Sequence, residues 1–322
     1  MSWFRDLTGL SSDGHAEVWD VFDVDGPELV SRHDGRRLHF GTLTTPSLSD
    51  LRARTAGLLD RGKPIGASQI VADAAALHRD AAHAGALFQV ASQFNLLEMI
   101  SPEATPEDGI TGYAHDHTQG PVCAIACGAG TLFRNYFLPF GPHRGQLIYR
   151  QLDMASDLEA ALGDVGSYWR MENGYLLPHS EAALHEVNTK LMPDMDGLLR
   201  IGLQGDTSVT GTDIRVTQAY CSAVPVSYSG LSPTLWKPLG CMVLNAAYEA
   251  TLHAAILNAE ATGNDRVFLT LLGGGAFGNP KEWITDAIEA ALRCFSRSGL
   301  DVRVVSYGAP DSALDAMIQR AL

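Results

Sequence analysis

The feature that most constrains this chain is an apolar run, Val267 to Leu272, that ends in Gly273-Gly274-Gly275-Ala276-Phe277-Gly278-Asn279-Pro280. The run reads as a buried strand. From Lys281 the pattern turns helical, with Ile284, Ile288, Leu292 and Phe295 on one face. Strand, glycine loop and helix start together form an anion site. Glycine admits positive φ and close backbone approach. The free N–H groups and the dipole at a helix N-terminus favour negative charge, and Pro280 stands where a first-turn proline is tolerated. The loop is not a Walker loop, because no Gly-Lys-Ser/Thr follows, and it does not complete Gly-x-Gly-x-x-Gly. A tight strand-to-helix turn alone also demands glycine, so the loop has a purely structural reading beside the functional one.

Composition narrows the partners. The formal net charge is −14, with lysine and arginine scattered, so the chain repels nucleic acid. Any anionic nucleotide must then be held by backbone N–H groups. No apolar run reaches membrane-span length, and the first residues lack a secretory pattern. The five cysteines form no Cys-x-x-Cys pair, which points to reduced thiols and a cytoplasmic setting. The 322 residues suffice for a large core.

The chain divides into an N-terminal extension, residues 1–60, and an α/β unit, residues 61–322, with an insertion at about 137–200. The extension carries expected short strands at Val18–Val24 and Arg37–Phe40 and a helix at Leu48–Leu59 opened by Thr45-Pro46-Ser47. Further expected elements are strands at Ala86–Ser92, Val216–Val226 and Leu300–Tyr307, and helices at Pro121–Tyr136 and Leu239–Ala261. Gly128 and Gly130 are expected to bend or end the first of these helices. Tyr168 to Tyr175 reads as a turn packed by aromatics.

The order Gly-Ala-Phe-Gly-x-Pro at 275–280 resembles the second phosphate loop of macrodomains, the ADP-ribose-binding α/β fold. The flanking order of strand, helix, strand, loop, helix and strand agrees. The resemblance implies a three-layer fold, a mixed central sheet with flanking helices, whose ligand is ADP-ribose and which needs no cofactor or metal. It also implies that Gly273, Gly274, Gly275, Ala276, Phe277, Gly278 and Asn279 hold the pyrophosphate and neighbouring ribose.

The same resemblance assigns the other half of the site. Asp73, in Ile70-Val71-Ala72-Asp73, is similar to the family's adenine-reading aspartate; its other reading is the N-cap of a helix running to His83. Asn95, after Phe88 to Phe94, is similar to the asparagine that meets the distal ribose; it also reads as a turn asparagine. Gln119 and Gly120, in Thr118-Gln119-Gly120-Pro121-Val122, stand where the family has a glycine-rich loop entering a helix. Here Val122 replaces the aspartate that assists catalysis in many hydrolytic members. Residues 93–136 resemble an atypical branch that includes bacterial effectors removing ADP-ribose from arginine with loop carboxylates.

Asp108, Asp116 and Glu98 are the corresponding catalytic candidates. ADP-ribosylarginine is an N-glycoside, and a carboxylate matches a guanidinium fork or orients water at an oxocarbenium-like ribose. As loop residues the same acids also read as turn caps. The triplet His115-Asp116-His117 is too local to make a metal site. Three functions stay open: hydrolysis of ADP-ribose from protein arginine, a non-catalytic reader of ADP-ribosylated protein, and a hydrolase of a free nucleotide-sugar. The partner in each is ADP-ribose, free or protein-bound, and neither nucleic acid nor membrane.

Overall fold

The computed structural model describes residues 3–322. Seven strands form the central sheet: β1 (Thr42–Thr44), β2 (Gly66–Val71), β3 (Leu87–Ala91), β4 (Gly202–Ser208), β5 (Arg215–Cys221), β6 (Arg266–Leu269) and β7 (Asp301–Ser306). Their order across the sheet is β1-β4-β5-β3-β6-β7-β2. From β5 to β2 every neighbouring pair is parallel, while β4 runs against both β1 and β5. Helices flank this mixed, mostly parallel sheet, as the sequence predicts.

Strand alternation sorts side chains onto two faces. Leu87, Ala219, Val267 and Leu269 join the core beneath the long helix Pro233–Thr262. Gln89, between two apolar neighbours, points the same way; its amide donates to Thr251 Oγ1 at 2.9 Å. On the opposite face Phe88 stacks on His78 at 3.8 Å and on Phe268 at 4.5 Å. Gln218 there donates to Cys123 O and meets His78 Nε2.

Several elements depart from the sequence reading. Val18 to Val24 is not one strand: His15, Val18 and Val21 are buried at helical spacing in the helix His15–Val21, and the strand starts only at Phe22. The helix expected over Pro121–Tyr136 runs Gln119–Ala126, breaks at Cys127 (φ −115°, ψ 58°), resumes at Gly128–Leu132 and ends in the wider turn Phe133–Phe137. At the break the Gly128 N–H is claimed by Thr210 Oγ1. The first sixty residues are not wholly an appendage. β1 pairs with β4, and the helix Leu48–Arg54, opened by a Ser47–Asp50 capping box, packs on the long helix. In the insertion, Trp169–Glu172 and Tyr175–Pro178 form a hairpin. Asn173 and Gly174, with φ of 46° and 83°, make its two-residue turn. Gly174 O accepts from Phe94 N, so the hairpin is seated on the turn after β3.

Among the described residues no helix is long and apolar enough to cross a membrane.

Candidate functional site

A cavity of about 620 Å³ opens beyond the carboxyl ends of β3, β6, β7 and β2. In open α/β sheets ligands bind in this crevice. Its walls come from Ala72-Asp73, Ala91 to Gln93, Glu98, Asp116 to Val122, Thr270 to Phe277, and Val305 to Tyr307.

One wall is the glycine loop. Its base is locked by Tyr248, whose hydroxyl donates to Thr270 O at 2.7 Å and accepts from Leu272 N at 2.9 Å. Gly273 has φ +74°, and a Cβ there would lie 2.5 Å from Ala223 Cβ, so both the conformation and the close approach demand glycine. Gly274, Gly278 and Asn279 spend their N–H groups inside the loop. Asn279, buried, donates its amide to Val224 O and staples the loop to the end of β5; its Oδ1 is buried without a partner. Gly278 has φ +70° and abuts Ser227; it belongs to the loop's framework and does not itself line the cavity. Gly275, Ala276 and Phe277 line it, and their N–H groups have no bond within the described residues. The helix Lys281–Cys294 begins directly behind. Phe277 packs on Tyr175 and Tyr228, with ring centroids at 5.3 and 5.8 Å.

The opposite wall carries the carboxyls. Glu98 is 6% exposed, lines the cavity, and its Oε1 has no hydrogen-bond partner. Burial pushes its carboxyl well above the usual range; Arg134 opposes this and Asp116 adds to it. Asp116 lines the cavity with Oδ1 accepting from Thr118 N at 2.8 Å. Gln119, also on the wall, substitutes for a neighbouring strand: its Oε1 accepts from Ala91 N and its Nε2 donates to Gln89 O. Gly120, at the start of the helix Gln119–Ala126, is hemmed in by Ala91 O, 2.4 Å from where a Cβ would sit.

Asp73 lines a third side. It is also the N-cap of the helix Ala74–Arg79, Oδ1 accepting from Ala76 N at 2.8 Å. Asp73 thus caps a helix and lines the cavity at once. That helix ends at Arg79, short of His83, which closes a separate turn.

Besides Gly278, two expected residues lie off the cavity wall. Asn95 is fully buried and absent from the cavity wall: its Oδ1 accepts from Leu97 N, and its amide donates to Gln151. It has closed the turn after β3 from inside, and Ser92 and Gln93 take the wall position instead. Asp108 is exposed and away from the cavity; its carboxylate accepts from Thr105 N and Oγ1, capping the short turn Pro106–Asp108. Tyr175, Tyr228, Tyr307 and Asp311 line the cavity without having been singled out as ligand groups. Only Tyr175 left a trace, as part of the aromatic turn. Asp311 pairs with Lys281, the one lysine or arginine on the wall.

Cys123, Cys127 and Cys221 are buried, and burial pushes their thiols up, Cys221 to about 12, so none is a poised nucleophile. Among the described residues no three His, Cys, Asp or Glu side chains gather as a metal site.

No protein-family model matches this chain, and no curated protein sequence does. Among solved structures it is similar to poly(ADP-ribose) glycohydrolase from Thermomonospora curvata, at 15% identity and a TM-score of 0.44, over 96% of this chain and 97% of that one. It is also similar to poly(ADP-ribose) glycohydrolase from Deinococcus radiodurans in complex with ADP-ribose, at 14% identity and a TM-score of 0.48, over 87% of this chain and 94% of that one.

Proposed function

We propose that this cavity binds ADP-ribose and that the chain hydrolyses it from the arginine of a modified protein. One observation carries the reading: a glycine loop backed by a helix N-terminus faces a wall bearing Glu98 and Asp116 across a single cavity. The two halves suit the two ends of the substrate. The unspent N–H groups of Gly275, Ala276 and Phe277 suit a pyrophosphate, in a cavity whose one lysine is already paired. Asp73 suits an exocyclic amine such as that of adenine. Carboxyls on the far wall repel phosphate and attract a guanidinium.

The chemistry asks little of the protein. When the bond from the anomeric carbon to nitrogen breaks, its electrons stay on the guanidine. Water adds to the oxocarbenium-like ribose, and its proton ends on the released guanidine. A carboxylate that grips the guanidinium and orients water meets this need. Asp116, half-exposed on the wall, is assigned that role, with Glu98 beside it.

A second reading, ADP-ribose binding without hydrolysis, is favoured by the withdrawal of Asp108 into its own turn, which leaves one loop carboxylate where two were expected. Calorimetry with ADP-ribose followed by release of labelled ADP-ribose from arginine-modified protein separates the readings. Binding with release supports the hydrolase. Binding with no release from any linkage replaces it with the reader. No binding sinks both.

A further inference from the structure

Behind the cavity's buried carboxyl lies a buried cation. Arg134 is 1% exposed, and among the described residues it is the one lysine or arginine in the interior. Its hydrogen-bond acceptors are all neutral: Leu96 O at 3.1 Å from Nε, Thr131 Oγ1 at 3.1 Å and Gln204 Oε1 at 3.4 Å. Its guanidinium carbon stands 3.7 Å from the centre of the Tyr220 ring. A cation buried among neutral partners is costly to keep unless something else requires it.

What it holds is the turn that carries Glu98. Leu96, whose carbonyl Arg134 grips, has φ +64°, a left-handed conformation disfavoured for leucine. Asn95 fastens Leu97 N, and Gln93 fastens both N–H and C=O of Met99. The segment is thus over-determined from inside, and Glu98 emerges from it into the cavity.

We propose that Arg134 is a positioning residue for Glu98: its buried guanidinium, held on Leu96 O two residues away, pins the left-handed turn from which that carboxyl enters the cavity. The groups that bear on Glu98 are few. Arg134 attracts its charge and Asp116 repels it. Tyr113 presents its hydroxyl oxygen to the Glu98 N–H at 2.9 Å. Tyr175, Tyr220 and Cys123 are neutral, their ionisation pushed up by burial. Removing Arg134 therefore leaves burial and Asp116 unopposed. The catalytic use of Glu98 rests on the hydrolase reading; the pinning of its turn by Arg134 does not.

The test is the titration of the Glu98 carboxyl carbon by NMR in ligand-free protein labelled at glutamate, assigned with Glu98→Gln. In Arg134→Gln the midpoint should rise by about one unit, a tenfold tighter proton. In Arg134→Lys, which keeps a cation but loses the fork, it should rise by less, and the acid limb of the rate profile should follow it. In a Glu98→Gln background Arg134→Lys should leave that limb where it is. An unmoved midpoint in either folded variant, accompanied only by a lower melting temperature, overturns the proposal. Should Arg134→Gln fail to fold, Arg134→Lys decides alone. A shifted midpoint in a protein that does not bind ADP-ribose sinks the functional reading and leaves this coupling standing.

Discussion

Gly120 and Glu98 compete for one volume: a Cβ at position 120 would lie 2.2 Å from Glu98 Oε2. Ala91 O blocks the other way out, so the added methyl must push the carboxyl off the helix start. Gly120→Ala should therefore cost about 1–3 kcal/mol of stability and reduce turnover at least about tenfold. Urea melts and the arginine-release assay read the two effects. Unchanged turnover in a folded variant would show that Glu98 has no part in the reaction.

Gly274 offers the opposite case, since it is exposed on the cavity wall and a Cβ there has only Ile284 Cδ1 at 3.1 Å and Leu271 O at 3.3 Å to meet. Gly274→Glu should fold and lose ADP-ribose affinity through sterics and charge repulsion. Calorimetry on the folded variant is the check, and retained affinity removes the phosphate from this loop.

Asp73 caps a helix and lines the cavity, and substitutions can separate that cap from the proposed adenine contact. Asp73→Ala should lose the cap, worth about 1 kcal/mol, and the adenine contact, weakening ADP-ribose by about 1–3 kcal/mol. Asp73→Ser keeps a capping oxygen and should lose only the affinity. Ribose 5-phosphate should bind both variants nearly as the parent does. Equal losses for the two ligands would assign Asp73 to structure alone.

The carboxylates Asp116 and Asp108 should now behave differently. Asp116 lines the cavity, so Asp116→Ala should abolish release from arginine while sparing ADP-ribose binding. Asp108 caps its own turn, so Asp108→Ala should cost some stability and leave turnover within about twofold. A loss of release in Asp108→Ala as deep as in Asp116→Ala would mean that the turn rearranges around substrate.

Acid should weaken the fold through His78. Burial holds this imidazole down at about 4, against 6.5 unfolded, and its ring is committed between Ala74 O and Gln218. Between those values the unfolded chain binds the extra proton, so stability falls as pH drops, by up to about 3 kcal/mol. Glu98, shifted up, works with the opposite sign. Urea melts at pH 7 and pH 5 on the parent and His78→Gln isolate the histidine, whose removal should flatten the dependence.

The legible parts of this chain were those written in local pattern. The strand–glycine–helix punctuation at 267–281 and the strands β3 and β5 depend on neighbours in sequence, and they stand within the expected stretches. Asn95 and Asp108 were misplaced for one shared reason. Short polar side chains satisfy the nearest N–H, Leu97 in one case and Thr105 in the other, and nothing in composition tells such a closed turn from an open ligand group. Arg134 was invisible because its partners, Leu96, Thr131, Gln204 and Tyr220, meet only in three dimensions. The extension was cut at residue 60 because the pairing of β1 with β4 leaves no mark in either segment.

The sheet order has a temporal side. β1 and β2, the first two strands of the central sheet in chain order, occupy its two outer edges. Leu43 waits for Gln204, and Gln69 waits for Val304, before either finds its ladder partner. A nascent chain therefore holds β1 without its ladder partner until Gln204 is made, and β2 until Val304 is made. Its native pairings are dominated by large sequence separation, the condition under which folding is slow and exposed strand edges stay open to other chains.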